Sequence, residues 1–220
     1  MGEGATLVDG HSVLRDLTAY IHYRHPKIPV FLDCKIGDID NTMTAYLRTA
    51  FELLKVEGML INPYMGDEVL RPFSALPNKI GIVLVKTSNC GARIIQDIQT
   101  MDGRPLWKRV LDLVIHRWND RGNLIPVLSA DCPPTANELR MGVPDETIIF
   151  VAGCGAQGGT AGQVRDFLNS SSAGVVVNSS RALLYPYRAS DPEWRSAIRR
   201  QVRGMRNNLN EARVGRTSDQ

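Results

Sequence analysis

Six short apolar runs, each handed on to a stretch of helical periodicity, set the tightest limit on what this chain can fold into. The runs cover residues 28–32, 58–62, 79–85, 124–128, 147–151 and 173–178. They are rich in Val and Ile and lack polar–apolar alternation. That pattern belongs to strands buried on both faces, which means a parallel sheet covered by helices. Parallel neighbours need a crossover, and a helix usually supplies it. The segments between and around the runs fit that role. Residues 12–23 place Val13, Leu14, Leu17, Tyr20 and Ile21 at helical spacing, and further helices are expected over 42–54, 67–75, 106–120, 137–141, 163–169 and 192–212. A long connection spans 90–103. The expected architecture is α/β with about six strand–helix units, and no composition shift divides residues 1–220, so one domain is expected.

Polar residues collect just past the C-terminal ends of the runs: Asp33 and Lys35, Asn62, Ser88 and Asn89, Gln157, and Arg181. A (β/α)8 barrel builds its active site from those loops. A doubly wound open sheet would place its site there too. At 43% hydrophobic and 22% charged residues the chain has the composition of a folded domain. A net charge of +3 gives no ground for a nucleic-acid partner, and the basic residues over 195–216 read as a solvated helix face.

Cys34, Cys90, Cys132 and Cys154 are far apart and form no CxxC, so neither a disulfide framework nor a zinc site is expected. His22 and His25 read as surface histidines rather than metal ligands. No apolar run approaches the ~18 residues of a membrane helix, and Met1-Gly2-Glu3-Gly4 lacks the basic start and apolar segment of a secretory signal. The expectation is a cytoplasmic protein without a membrane partner.

Three clusters carry chemistry. In the first, Asp33-Cys34-Lys35-Ile36-Gly37-Asp38 ends the strand at 28–32 with acid, base and acid. Asp33 and Lys35 are two apart and share a face if the strand is regular. Charge at such a place is costly unless paired. In the second, Gly153-Cys154-Gly155-Ala156-Gln157-Gly158-Gly159 contains GxGxxG after a strand. The acid that a dinucleotide site needs is missing, since the next strand ends in Asn178-Ser179. The remaining chemical reading is a glycine cradle whose backbone amides approach a phosphate. In the third, Asn178-Ser179-Ser180-Arg181 follows the last strand, and Arg181 can grip phosphate bidentately.

Taken in order, these residues resemble orotidine 5′-phosphate decarboxylases. Asp33-Cys34-Lys35-Ile36-Gly37-Asp38-Ile39-Asp40-Asn41-Thr42 fits that family's DxKxxDIxxT signature. Asn62-Pro63-Tyr64-Met65-Gly66, Lys86-Thr87-Ser88-Asn89, the glycine loop and Ser180-Arg181 follow as in its longer bacterial and protozoan branch. The resemblance implies a (β/α)8 TIM barrel and a lyase without cofactor or metal that converts orotidine 5′-monophosphate (OMP) to UMP. It implies catalytic roles for Lys35, Asp33 and Asp38, with Lys35 protonating C6. It implies substrate contacts from Ile39, Thr42, Ser88, Gln157 and Arg181. Asp38 and Thr42 resemble residues that reach a partner subunit's site, so a homodimer is expected.

There are departures from the pattern. Family members begin with two more strand–helix units, one carrying a ribose-holding Asp and the other a second Lys. Met1 falls about where the second of those strands ends, so the expectation is a barrel truncated to about six units with the first and last strands as edges. Ala152-Gly153 stands where the family usually has Pro-Gly. Two alternatives share much of the pattern. One is a Mg²⁺-dependent sugar-phosphate decarboxylase or aldolase of the same superfamily, and the other is a nucleotide-phosphate binder that no longer turns over.

Overall fold

The computed structural model describes residues 9–130, 140, 142–155, 158–188 and 190–217. The chain divides into two compact units, Met1–Val83 with Trp118–Leu124, and Leu84–Arg117 with Ile125–Gln220. All the strand pairs assigned in each unit are parallel, as the unbroken apolar runs require.

The first unit opens with helix α1 (Gly10–Arg24), capped by Asp9, whose carboxylate accepts from the His11 N–H at 3.1 Å and the Ser12 hydroxyl at 2.6 Å. Strand β1 (Phe31–Ile36) pairs with β2 (Gly58–Ile61), and β2 with β3 (Ile80–Leu84). Helix α2 (Asp40–Arg48) continues into a π turn, Thr49–Leu53. Helix α3 (Asp67–Leu70) runs into the 3₁₀ turn Arg71–Ala75. Met43, Met59, Ile61, Phe73 and Ile82 are among the core side chains and are at most 1% exposed. Asn123 closes one end of this core. Its amide donates to the carbonyls of Phe73, Leu76 and Lys79 at 3.0–3.1 Å, fixing the turn before β3.

Two expectations shift here. β1 starts three residues later than expected and runs through the charged cluster. Pro29 has no N–H, and the Val30 N–H goes to the Glu57 carboxylate at 2.7 Å rather than into the ladder. His22 joins the same carboxylate at 3.1 Å, so this partly exposed histidine has a carboxylate partner. The other shift is α1. Its apolar stripe is not buried: Val13, Leu17 and Tyr20 are 49–60% exposed, and Thr18 is the one buried residue of the helix.

The second unit contains β4 (Leu124–Ser129, all but its first residue), β5 (Ile149–Ala152) and β6 (Val175–Val177), with β5 paired to both others. Its helices are α4 (Arg93–Gln96), α5 (Leu106–His116), α6 (Ala161–Arg165), α7 (Arg181–Leu184) and α8 (Trp194–Thr217). α5 buries Trp107, Leu111 and Val114 along one stripe. It ends four residues early. Asn119 instead bonds both backbone groups of Leu124, which makes 119–123 a turn. α6 starts two residues early because Thr160 and Gln163 form a reciprocal capping box. It is short because Phe167 and Leu168 turn inward through i→i+3 bonds and are buried. The helix expected over 137–141 lies outside the described residues except for Arg140, whose guanidinium bonds the carbonyls of Thr147 and Asp145. The connection 90–103 is folded, with a 3₁₀ turn (Cys90–Ala92), α4 and a small antiparallel bridge between Gln99 and Pro105.

Candidate active site

The first unit carries the acid–base–acid cluster. β1 loses its register between Leu32 and Ile36, so the strand is irregular at the place where the charges sit. Asp33 and Lys35 nevertheless project together, and the Lys35 ammonium donates to Asp33 Oδ1. Both side chains are 52% exposed. Cys34, between them, points the other way, and its thiol donates to the Leu60 carbonyl at 3.4 Å. Burial, above all, holds that thiol above its usual pKa, which disfavours the thiolate.

Lys35 has φ +50°, and Asp40 has φ +47°. Both are left-handed conformations that cost a non-glycine residue free energy of order 1 kcal/mol. The turn between them is tight for a stated reason. A side chain at Gly37 would place its Cβ 2.1 Å from the Asn62 carbonyl oxygen, so no larger residue fits without moving β2's exit. Asp38 Oδ1 accepts the Ile39 N–H at 2.8 Å, which aims the carboxylate at the chain's own turn. Ile39 (43% exposed) and Thr42 are open to solvent at the start of α2. Asp33, Lys35, Asp38, Ile39 and Thr42 are thus gathered at one end of β1.

The second unit carries the other expected residues. Ser88 lines a cavity of about 590 Å³ together with Lys86, Asn89, Asp97 and Ser129. Arg181 is the first residue of α7 and is exposed. Gln157 and its neighbour Ala156 lie outside the described residues. The glycine loop and the Arg181 turn are adjacent. The Ser179 hydroxyl donates to the Cys154 carbonyl at 2.8 Å. Gly155, at φ +87°, passes so near α7 that a Cβ there would lie 2.9 Å from that of Ala182. The amides of Gly155, Gly158 and Gly159 donate to carbonyls of the loop itself at 2.9–3.1 Å. In this conformation the amides of those three glycines are taken up within the loop itself.

Sequence reasoning missed one set of polar contacts. The Lys86 ammonium bonds Asp97, and the Gln96 side chain bonds both polar groups of Thr87. An acid eleven residues from a lysine, across a connection read as a plain loop, carries no periodic signal. Two further pairs sit apart from these clusters. Arg104 bridges Asp102 and Asp112, at 3.0 and 2.7 Å. A hydrogen bond from Thr100, then Arg104's backbone and guanidinium, hold the Asp102 carboxyl down to about 2.

Comparison with known proteins converges on one group. The model of the "Orotidine 5'-phosphate decarboxylase / HUMPS family" matches residues 4–193. The orotidine 5′-phosphate decarboxylase of Bordetella pertussis is 37% identical over 202 residues, covering 91% of this chain and 73% of that protein. Among solved structures, Leishmania donovani OMP decarboxylase superposes with a TM-score of 0.78 at 29% identity, covering 94% of this chain and 76% of that one. The Leishmania donovani UMP synthase gives 0.76 at 32%, covering 92% of this chain and 42% of its own length. The α/β reading of barrel type agrees with these likenesses. Among the described residues, no helix is long and apolar enough to cross a membrane.

Proposed function

This chain belongs to the orotidine 5′-phosphate decarboxylase / HUMPS family, and we propose that it is the carboxy-lyase that converts OMP to UMP and CO2, with Lys35 as the proton donor. The observation that carries this reading is the Lys35–Asp33 contact at the exit of β1, half-exposed and on strained backbone. Decarboxylation breaks the bond from C6 to the carboxylate. CO2 leaves, and the electron pair remains on C6 with little delocalisation. An ammonium held beside that carbon stabilises the developing charge and then delivers a proton to it. The neutral amine regains its proton from solvent. Asp33 keeps Lys35 charged and aimed. Because the two are preorganised, no solvent must reorient as the charge forms.

The remaining roles follow the same chemistry. Ser88 contacts the pyrimidine. Gln157 and Arg181 hold the phosphate, whose binding energy is remote from C6 and draws the loops over it. Asp38 and Thr42 serve the site of a second copy, in a homodimer, and Ile39's exposed side chain packs at that junction. The two compact units work as one decarboxylase domain, a reading supported by a family match that runs through both. The protein works in the cytoplasm, in de novo pyrimidine synthesis.

The test is UMP formation from OMP by the purified chain, followed by loss of the orotate absorbance. Turnover that persists in EDTA is expected. Turnover abolished by EDTA would transfer the chain to a metal-using branch, and binding of UMP without turnover would make it a non-catalytic binder.

A further inference from the structure

We propose that Gln96 is a positioning residue for the base-binding loop, acting on Ser88 through Thr87. The inference rests on the assignment of Ser88 to the pyrimidine. The amides of Val85 and Lys86 both donate to the Val127 carbonyl, at 3.3 and 3.0 Å, and there the strand-type bonding ends. Thr87 follows without a strand acceptor for its N–H. Gln96 supplies one: its side-chain oxygen accepts the Thr87 N–H at 3.0 Å. Its amide nitrogen donates to the Thr87 hydroxyl at 2.9 Å, and the hydroxyl donates in turn to Asn89 Oδ1 at 2.7 Å. The backbone carbonyl of Asn89 accepts the Ala92 N–H at 3.0 Å.

The two Gln96 bonds have one allowed direction each. The Thr87 N–H requires an acceptor, so the Gln96 oxygen must face it, which leaves the Gln96 NH2 to face the hydroxyl. Next to it, Lys86 is tied to Asp97. Two consecutive residues leaving β3 are therefore fastened to two consecutive residues at the end of α4. Ser88 is the next residue along, and it faces the cavity of about 590 Å³ that Asp97 also lines. Gln96 is half-buried and is not part of the cavity wall, whereas Thr87, which it holds by two hydrogen bonds, is, so Gln96 acts on a ligand through the loop it fastens. A glutamine fits here because a carboxylate of the same length would offer an acceptor to the N–H but no donor to the hydroxyl.

The experiment is calorimetric binding of UMP and of ribose 5-phosphate to the full chain and its variants. Gln96→Ala is expected to weaken UMP about 5–10-fold, the scale of one or two lost hydrogen bonds, and to leave ribose 5-phosphate, which has no base, within twofold. Thr87→Val should reproduce that loss from the other end of the clamp, and Thr87→Ser, which keeps the hydroxyl, should bind as the unmodified chain does. In Ser88→Ala, adding Gln96→Ala should cost less than it does alone, because the route through Ser88 is already cut. Equal weakening of both ligands, or full additivity, would overturn the positioning role. If Ser88→Ala weakens UMP and neither Gln96→Ala nor Thr87→Val does, that role alone falls. If Ser88→Ala binds UMP as the unmodified chain does, the base contact falls, and the positioning role with it.

Discussion

Among the described residues, two lysine–aspartate contacts stand at strand exits, and they differ in almost everything else. Lys35 and Asp33 are both 52% exposed, two residues apart, with Lys35 at φ +50°. Lys86 is 10% exposed and Asp97 40%, eleven residues apart, in a segment tied down by the Gln96–Thr87 clamp. The first pair stands in the open at the end of an irregular strand, where a substrate can reach the ammonium. The second is packed between a strand exit and a helical turn, where the ammonium is nearly buried against Asp97 at the wall of the cavity that Ser88 also lines. Residue type and contact are the same, so chemistry and architecture are separated by access and by backbone strain. Strain persists where surrounding structure over-determines it, and around Lys35 that structure is the close approach of Gly37 to Asn62.

The contrast can be broken experimentally. Asp33→Asn removes the charge that holds Lys35 while keeping the side chain's size. It should lower kcat by about 10²-fold or more, the scale of one preorganised electrostatic contact, with the melting temperature little changed. Lys86→Ala should act the other way. Stranding Asp97 costs a fully buried pair about 3–5 kcal/mol, but Asp97 is 40% exposed, so a loss of about 1–2 kcal/mol in denaturant unfolding is expected, with kcat kept within tenfold. If Asp33→Asn unfolds the chain and Lys86→Ala leaves its stability intact, the two assignments are reversed.

The smallest effect sharpens how the first pair is held. Glu57 anchors Val30 just ahead of β1. Partial burial pushes its carboxyl up, but the Val30 N–H, the His22 contact and Lys79 more than offset this, and the net shift is below the usual 4.5. A carboxyl lowered on folding adds stability above its unfolded pKa and loses it as pH falls through its folded value. The melting temperature should therefore fall more steeply below about pH 4.5 in the unmodified chain than in Glu57→Gln. Parallel curves would remove Glu57 from that role.

Much of this was legible in the sequence, for physical reasons that can be named. Short unbroken Val- and Ile-rich runs alternating with helical periodicity favour parallel strands buried on both faces, so the six strands and most helices were readable. The Asp33-x-Lys35 spacing gave a shared face that survived the lost register, because the two side chains still project together. Other features depended on contacts between distant residues. Pro29 and the Glu57–Val30 bond moved the start of β1 past the point where hydrophobicity alone set it. The apolar stripe of α1 had the right period for burial and is exposed, since periodicity states that a face exists and not what covers it. Gln96 gave no signal because its partners, Thr87's N–H and hydroxyl, are defined by where a strand stops.

The central claim is that Lys35 is the proton donor of a decarboxylase. The most direct measurement is release of labelled CO2 from OMP carrying the label in its carboxylate, by the unmodified chain and by Lys35→Ala, with UMP affinity measured alongside. The expected result is a loss of about 10³-fold or more in the variant, in line with removal of a general acid that also stabilises charge, while UMP still binds within tenfold through Ser88 and Arg181. CO2 release by Lys35→Ala at the rate of the unmodified chain would contradict the account.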